Sequence, residues 1–149
     1  MKPERLNILM ADDDPDDRML VREALNETSA PQHLDCVEDG EDLMDYLGRR
    51  GKYAHLLADN QPRIILLDLN MPRKDGREAL KEIKGDPKLR HIPVIIFTTS
   101  NAVEDIQRTY DLGAGSFLVK PRNFEMLVQA LDTLQQYWFE TCRLPKFQI

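Results

Sequence analysis

Short aliphatic runs alternate along the chain with stretches in which apolar residues recur every three or four positions, the pattern of strands interleaved with amphipathic helices. The first run, Leu6-Asn7-Ile8-Leu9-Met10-Ala11, stops at Asp12-Asp13-Asp14-Pro15, where Asp14 suits a helix cap and Pro15 the first helical position. Leu20, Val21, Ala24 and Leu25 are expected on one face of that helix. A weaker strand over about 33–37 leads through Asp39-Gly40 into a helix carrying Leu43, Met44 and Leu47, and 48–63 reads as a helix end plus a longer surface loop.

The run Arg63-Ile64-Ile65-Leu66-Leu67-Asp68 is the strongest strand signal, because four consecutive aliphatic residues imply burial on both faces of a central parallel strand. Ala79, Leu80 and Ile83 form the next helical stripe, ended by Gly85-Asp86-Pro87. Pro93-Val94-Ile95-Ile96-Phe97-Thr98 is a second continuous strand. Ala102, Ile106 and Tyr110 mark a helix, and Ser116-Phe117-Leu118-Val119 a fifth strand. Phe124, Leu127, Val128, Leu131, Leu134 and Trp138 describe a long last helix. Five strands, each followed by a helix, predict an α/β fold with a parallel sheet covered on both sides.

The 149 residues suit one ordinary domain, and no break in composition marks a second. Hydrophobic residues at 42% and charged residues at 31% are the proportions of a chain with a packed core. Lysine and arginine number 20 against 26 aspartates and glutamates, a net charge of −6, which disfavours nucleic acid and anionic membrane surfaces as partners. No run approaches the length of a membrane helix or a signal h-region. Cys36 and Cys142 fit no metal or redox spacing and read as free thiols in a reducing cytoplasm. His33, His55 and His91 are scattered singletons.

In a doubly wound sheet, ligands bind beyond the carboxyl ends of the strands. Asp12 and Asp13 end the first strand, Asp68 the third, Thr98 the fourth and Lys120 the fifth. Carboxylates gathered at one rim repel unless a cation neutralises them, and a hard divalent ion such as magnesium is implied, with Asp13 and Asp68 as direct ligands and Asp12 acting through water. Lys120 and Thr98 add a positive charge and a hydroxyl donor suited to a phosphoryl group beside the metal. Asp14, Asp16 and Asp17 read instead as residues serving the helix N-terminus.

The segments Ile8–Asp13, Leu66–Gly76, Pro93–Thr98 and Phe117–Pro121, in order and at compatible spacings, resemble the receiver domain of two-component response regulators from about Leu6 to Trp138. The resemblance implies a flavodoxin-like sheet of order 2-1-3-4-5. It implies Asp68 as phosphoacceptor from the phosphohistidine of a sensor kinase, and Mg2+ held by Asp12, Asp13, Asp68 and the main-chain carbonyl of Asn70. Lys120 would pair with the phosphoryl group and Lys120–Pro121 would be a cis peptide. Thr98 and Phe117 would be the switch pair, the hydroxyl drawn to the phosphoryl group and the ring moving inward. Such a protein signals rather than turning over a substrate, while assisting its own phosphorylation and dephosphorylation. Thr99 stands where the family usually has a small residue, and Asn70 and Ser100 occupy positions that tune self-dephosphorylation.

About ten residues follow the last helix, so the receiver is expected to stand alone and to act through a protein contact. Residues 137–149 carry more aromatic and aliphatic surface than a solvated terminus, which predicts docking, either back on the domain or in a dimer seam. Trp138, Leu144-Pro145, the 51–63 loop and the 73–78 turn are most similar to the single-domain regulators paired with cyanobacterial phytochrome kinases, which implies a homodimer through the last helix and a C-terminal extension from about 139–149. A magnesium-dependent phosphohydrolase with Asp68 as nucleophile is disfavoured by Asn70, where a catalytic aspartate would be wanted. Nucleotide binding lacks its glycine-rich loops.

Overall fold

The computed structural model describes residues 6–28, 32–56 and 61–145. In chain order the elements are β1 (Leu6–Ala11), α1 (Pro15–Asn26), β2 (Gln32–Val37), α2 (Gly40–Gly48), a 3-10 turn (Gly51–Tyr53), β3 (Ile64–Leu67), α3 (Gly76–Gly85), β4 (Val94–Thr98), α4 (Val103–Asp111), β5 (Ser116–Val119), α5 (Phe124–Gln135) and a π-helical turn (Gln136–Thr141). The five strands form one parallel sheet of order β2-β1-β3-β4-β5. The chain reverses its direction of travel across the sheet between β1 and β3, and that crevice is where a doubly wound fold places its ligand.

Alternation along the central strands assigns each side chain to a face. Ile64, Leu66, Ile95 and Phe97 turn toward Val21, Ala24 and Leu25 of α1 and Leu127, Leu131 and Leu134 of α5. Ile65, Leu67, Val94 and Ile96 turn toward Leu43, Met44 and Leu47 of α2 and Ala79, Leu80 and Ile83 of α3. Burial on both faces explains why β3 and β4 read as unbroken aliphatic runs.

The helix starts follow the capping chemistry. Asp14, Asp39, Asp75 and Asn123 each accept a backbone N–H of the first turn of α1, α2, α3 and α5, and Pro15 opens α1. Two expected stripes differ from the structure. Leu20 is 40% exposed on α1, and on α4 Tyr110 faces solvent while Thr109 is the buried residue. The Thr109 hydroxyl satisfies itself on the Asp105 carbonyl at 2.8 Å, so this polar residue is buried at little cost.

After α5 the chain turns back. Trp138, Phe139 and Leu144 are partly buried against the α1/α5 core, and the Trp138 ring lies over Gly115, 3.2 Å from where a side-chain carbon would begin. The part of the extension up to Pro145 thus docks on its own domain, while 146–149 lie outside the described residues. Among the described residues no helix is long and apolar enough to cross a membrane.

Candidate phosphoacceptor site

Asp12, Asp68, Thr98 and Lys120 sit at or one step beyond a strand end, joined there by bonds that extend the sheet ladder, with Asp13 next along the chain from Asp12. The Asp12 N–H donates to the Val37 carbonyl at 3.1 Å, the Asp68 N–H to Ala11 at 3.0 Å, and the Lys120 N–H to Thr98 at 2.8 Å. Backbone pairing therefore carries side chains from four strands to one rim with little freedom left to lose on binding. Asp12, Asp13 and Asp68 each present a carboxylate oxygen within 4.8 Å of the others. Asp12 is fully buried and Asp68 nearly so, whereas Asp13 is exposed.

The Lys120 ammonium joins the cluster. It donates to Asp12 Oδ2 at 2.7 Å, Asp17 Oδ2 at 2.7 Å and Asp68 Oδ2 at 3.2 Å. Burial pushes the Asp12 carboxyl above the ordinary 3.8, opposed by the bonds from Lys120 and from the Asp14 N–H. Burial alone would lower Lys120, yet its bonds to Asp12 and Asp17 and the charges of Asp12 and Asp68 hold it above the ordinary 10.5, so it stays charged. Four carboxylates around one ammonium leave three excess negative charges. A hard divalent cation is the group that would offset them, and an all-oxygen donor set fits such an ion.

Thr98 is fully buried, and its Oγ1 has no hydrogen-bond partner among the described residues. A hydroxyl left this way costs about 1–3 kcal/mol and is free to donate to an incoming anion. Phe117, in register with Ile96, is half-buried against the α2/α3 core. Thr99 is exposed beyond the end of β4.

The turn after Asp68 is clamped from two sides. The Asn70 N–H points back to Asp68 Oδ1 at 3.4 Å, and the Gly76 N–H donates to Leu69 at 2.9 Å. Arg73 adopts the left-handed region at φ 67°, unusual for a residue with a side chain, and its Nε donates to the buried Asp39 carboxylate at 2.7 Å. The Gly40 N–H donates to the Lys74 carbonyl at 3.0 Å.

One expected feature is corrected: no cis peptide occurs among the described residues, so Lys120–Pro121 is trans. The trans form of an X-Pro bond is favoured by about 0.5–1 kcal/mol, and Lys120 reaches its three carboxylates from a trans backbone. Asp17 stands in the first turn of α1 as expected, but sequence reasoning missed that it also takes a bond from Lys120. It missed Arg18, whose Nη1 donates to the Asp12 carbonyl at 2.7 Å. It missed as well the fork from Arg77 to Asp105 Oδ1 at 2.7 and 3.0 Å, which the Ser100 hydroxyl joins at 2.7 Å on Oδ2. The only signal for these contacts is the placement of α1, α3 and α4 around the rim.

Fold and site together define a receiver domain: a parallel sheet of order 2-1-3-4-5 with an acidic cluster, a threonine and a lysine at its carboxyl rim. The chain belongs to the response regulator receiver domain family, which matches residues 8–132. It is 38% identical to the response regulator Rcp1 of Synechocystis sp. over 138 residues, 93% of this chain and 92% of that protein. Among solved structures, the phosphorylated cyanobacterial phytochrome response regulator RcpA is similar at a TM-score of 0.87 and 39% identity, covering 95% of this chain and 99% of that one. The Mn(2+)-bound form of Rcp1 is similar at a TM-score of 0.84 and 38% identity, over 94% and 99%. The protein is thus a receiver-domain response regulator related to the phytochrome response regulators.

Proposed function

We propose that Asp68 accepts a phosphoryl group from the phosphohistidine of a sensor kinase of the phytochrome type, and that the chain signals by changing a protein-binding face. The observation that carries this reading is Lys120 Nζ spanning Asp12 and Asp68, a positive charge held beside a carboxylate in a pocket with an unpartnered hydroxyl. In the transfer, an Asp68 oxygen attacks phosphorus and forms the new P–O bond. The P–N bond breaks, its electron pair stays on the imidazole nitrogen, and that nitrogen takes a proton from solvent.

Asp13, Asp68 and the Asn70 carbonyl would hold Mg2+ directly, with Asp12 supporting it through water. The ion would supply charge neutralisation for the phosphoryl oxygens. Lys120 places a compact positive charge at the acceptor carboxylate, and the strand ends fix the acceptor's position. Phosphorylation adds about −1.5 to −2 charges, which draws the Thr98 hydroxyl toward the new group and opens space for Phe117 to move further inward. The same pocket would assist self-dephosphorylation, in a signalling component and not a turnover enzyme.

The output surface is the α4, β5 and α5 side. Between β5 and α5 runs an apolar groove of about 470 Å³ lined by Leu118, Met126, Ala130, Leu134, Tyr137 and Trp138. Met126 and Tyr137 are each about half exposed, at 52% and 51%, which supports a homodimer through the last helix and its extension. Two free thiols support a reducing, cytoplasmic setting.

Incubation with a phosphorylated histidine kinase and Mg2+ tests the acceptor. The wild type takes up label as an acyl phosphate and Asp68→Asn does not. Full labelling of Asp68→Asn would overturn the assignment.

A further inference from the structure

We infer that Asp17 is a positioning residue that holds Lys120 before phosphorylation and surrenders it to the phosphoryl group afterwards. The inference rests on the reading of Asp68 as the acceptor. An ammonium has three N–H donors, and all three on Lys120 are engaged, by Asp12, Asp17 and Asp68. The bonds to Asp12 and Asp17 are shorter than that to Asp68, at 2.7 Å each against 3.2 Å. Phosphorylation takes the charge off the Asp68 carboxyl and frees the N–H that it held, so Lys120 turns one donor to the phosphoryl group, and pairs a second phosphoryl oxygen only if Asp12 or Asp17 lets go.

Solvent access decides which one. The Asp12 side chain is 1% exposed, so on release it would become a buried charge short of a partner. Asp17 is 30% exposed and stands in the first turn of α1, where water and the helix N-terminus both stabilise a released carboxylate. Asp17 therefore yields. Until it does, it competes for the lysine and adds a negative charge that opposes an incoming dianion. Its effect is to make the phosphorylated state harder to reach without touching the reacting atoms.

Exposed Asp16, the adjacent residue, carries the same charge but takes no bond from Lys120, which makes it the control. The probe is beryllium fluoride, a phosphoryl mimic, titrated by calorimetry in saturating Mg2+. Lys120 ammonium resonances are followed in metal-free protein. Asp17→Ala is expected to tighten beryllium fluoride binding by about fivefold to tenfold, the range of a charged hydrogen bond partly screened by solvent. Asp16→Ala is expected to change it by less than about twofold, as for an exposed charge. Asp17→Asn, which keeps an acceptor but loses the charge, should fall between, and Asp17→Glu should restore wild-type behaviour. The Lys120 signal should shift in Asp17→Ala and stay in place in Asp16→Ala.

Equal effects of the Asp16 and Asp17 variants, unchanged binding in Asp17→Ala, or weaker binding would each overturn the role of Asp17. Asp68→Ala separates the two levels of the argument. Beryllium fluoride binding that survives Asp68→Ala, or that is absent from the wild type, counts against the acceptor itself, whereas wild-type binding indifferent to Asp17 counts against Asp17 alone.

Discussion

Gly76 opens α3 directly after its cap, Asp75, and the backbone of Asp68 and Leu69 lies against it. A side-chain carbon at residue 76 would stand 2.8 Å from Leu69 Cα and 3.0 Å from the Asp68 carbonyl carbon, and closer still to the Asp68 carbonyl oxygen. Ordinary contact begins at 3.4 Å, so Gly76→Ala must drive the turn and α3 apart by well over half an ångström. Overpacking of this kind costs about 1–3 kcal/mol, and misplacement of a reacting group by about 1 Å can cost about a hundredfold in rate. Gly85 ends the same helix with nothing within 4 Å of its missing side chain, so Gly85→Ala should gain about 0.4–1 kcal/mol by restricting the unfolded chain. At about 2–4 °C per kcal/mol for a chain of this size, the two melting temperatures should move in opposite directions. Thermal melts, with labelling by a small-molecule phosphodonor at saturating Mg2+, read both effects. A Gly76→Ala protein that melts and labels like the wild type would refute the close approach and the claim that it positions Asp68.

Thr98→Val replaces an unpartnered buried hydroxyl with a methyl, so it should leave stability unchanged or raise it by about 1 kcal/mol in urea melts while uncoupling phosphorylation from changes at Phe117. Burial alone would raise the Asp39 carboxyl, but the Asp42 N–H and Arg73 outweigh it and hold it below the ordinary 3.8. A depressed carboxylate contributes stability that is present above 3.8 and lost as pH falls through its folded value. Arg73→Ala should therefore lower the urea midpoint at neutral pH, with the gap to wild type closing in strong acid; a constant gap would exclude the pair as its source. Truncation after Tyr137 removes Trp138, Phe139 and Leu144 from the α1/α5 core and should cost about 3–5 kcal/mol, with light scattering showing a shift toward monomer. Unchanged mass at matched concentration would exclude a dimer that depends on the extension.

Strands that are buried on both faces announce themselves, because Ile64 to Leu67 and Val94 to Phe97 leave no polar position to hide the period. The rim was legible for the same reason: Asp12, Asp68, Thr98 and Lys120 are the first polar groups after aliphatic runs, and a parallel sheet puts all such ends together. Contacts between helices and the rim were not legible. Asp17 and Lys120 are 103 positions apart, and only the folded arrangement that brings the first turn of α1 to the rim turns a helix-start aspartate into a lysine partner. The stripe on α4 misled because that helix covers little of the sheet, leaving Val103 and Tyr110 in solvent. The cis bond had no local cause in the residues, since proline permits that isomer without requiring it.

Trp138 is the chain's one tryptophan, and it stands where the extension, α5 and the approach to β5 meet, with the Tyr137 ring edge-on at 5.2 Å and Gly115 beneath it. Its indole emission therefore has a single origin and a single neighbourhood. Any rearrangement of that corner on phosphorylation changes the polarity around one fluorophore, so the native protein carries its own optical gauge of the proposed output face and can be followed in real time without a label.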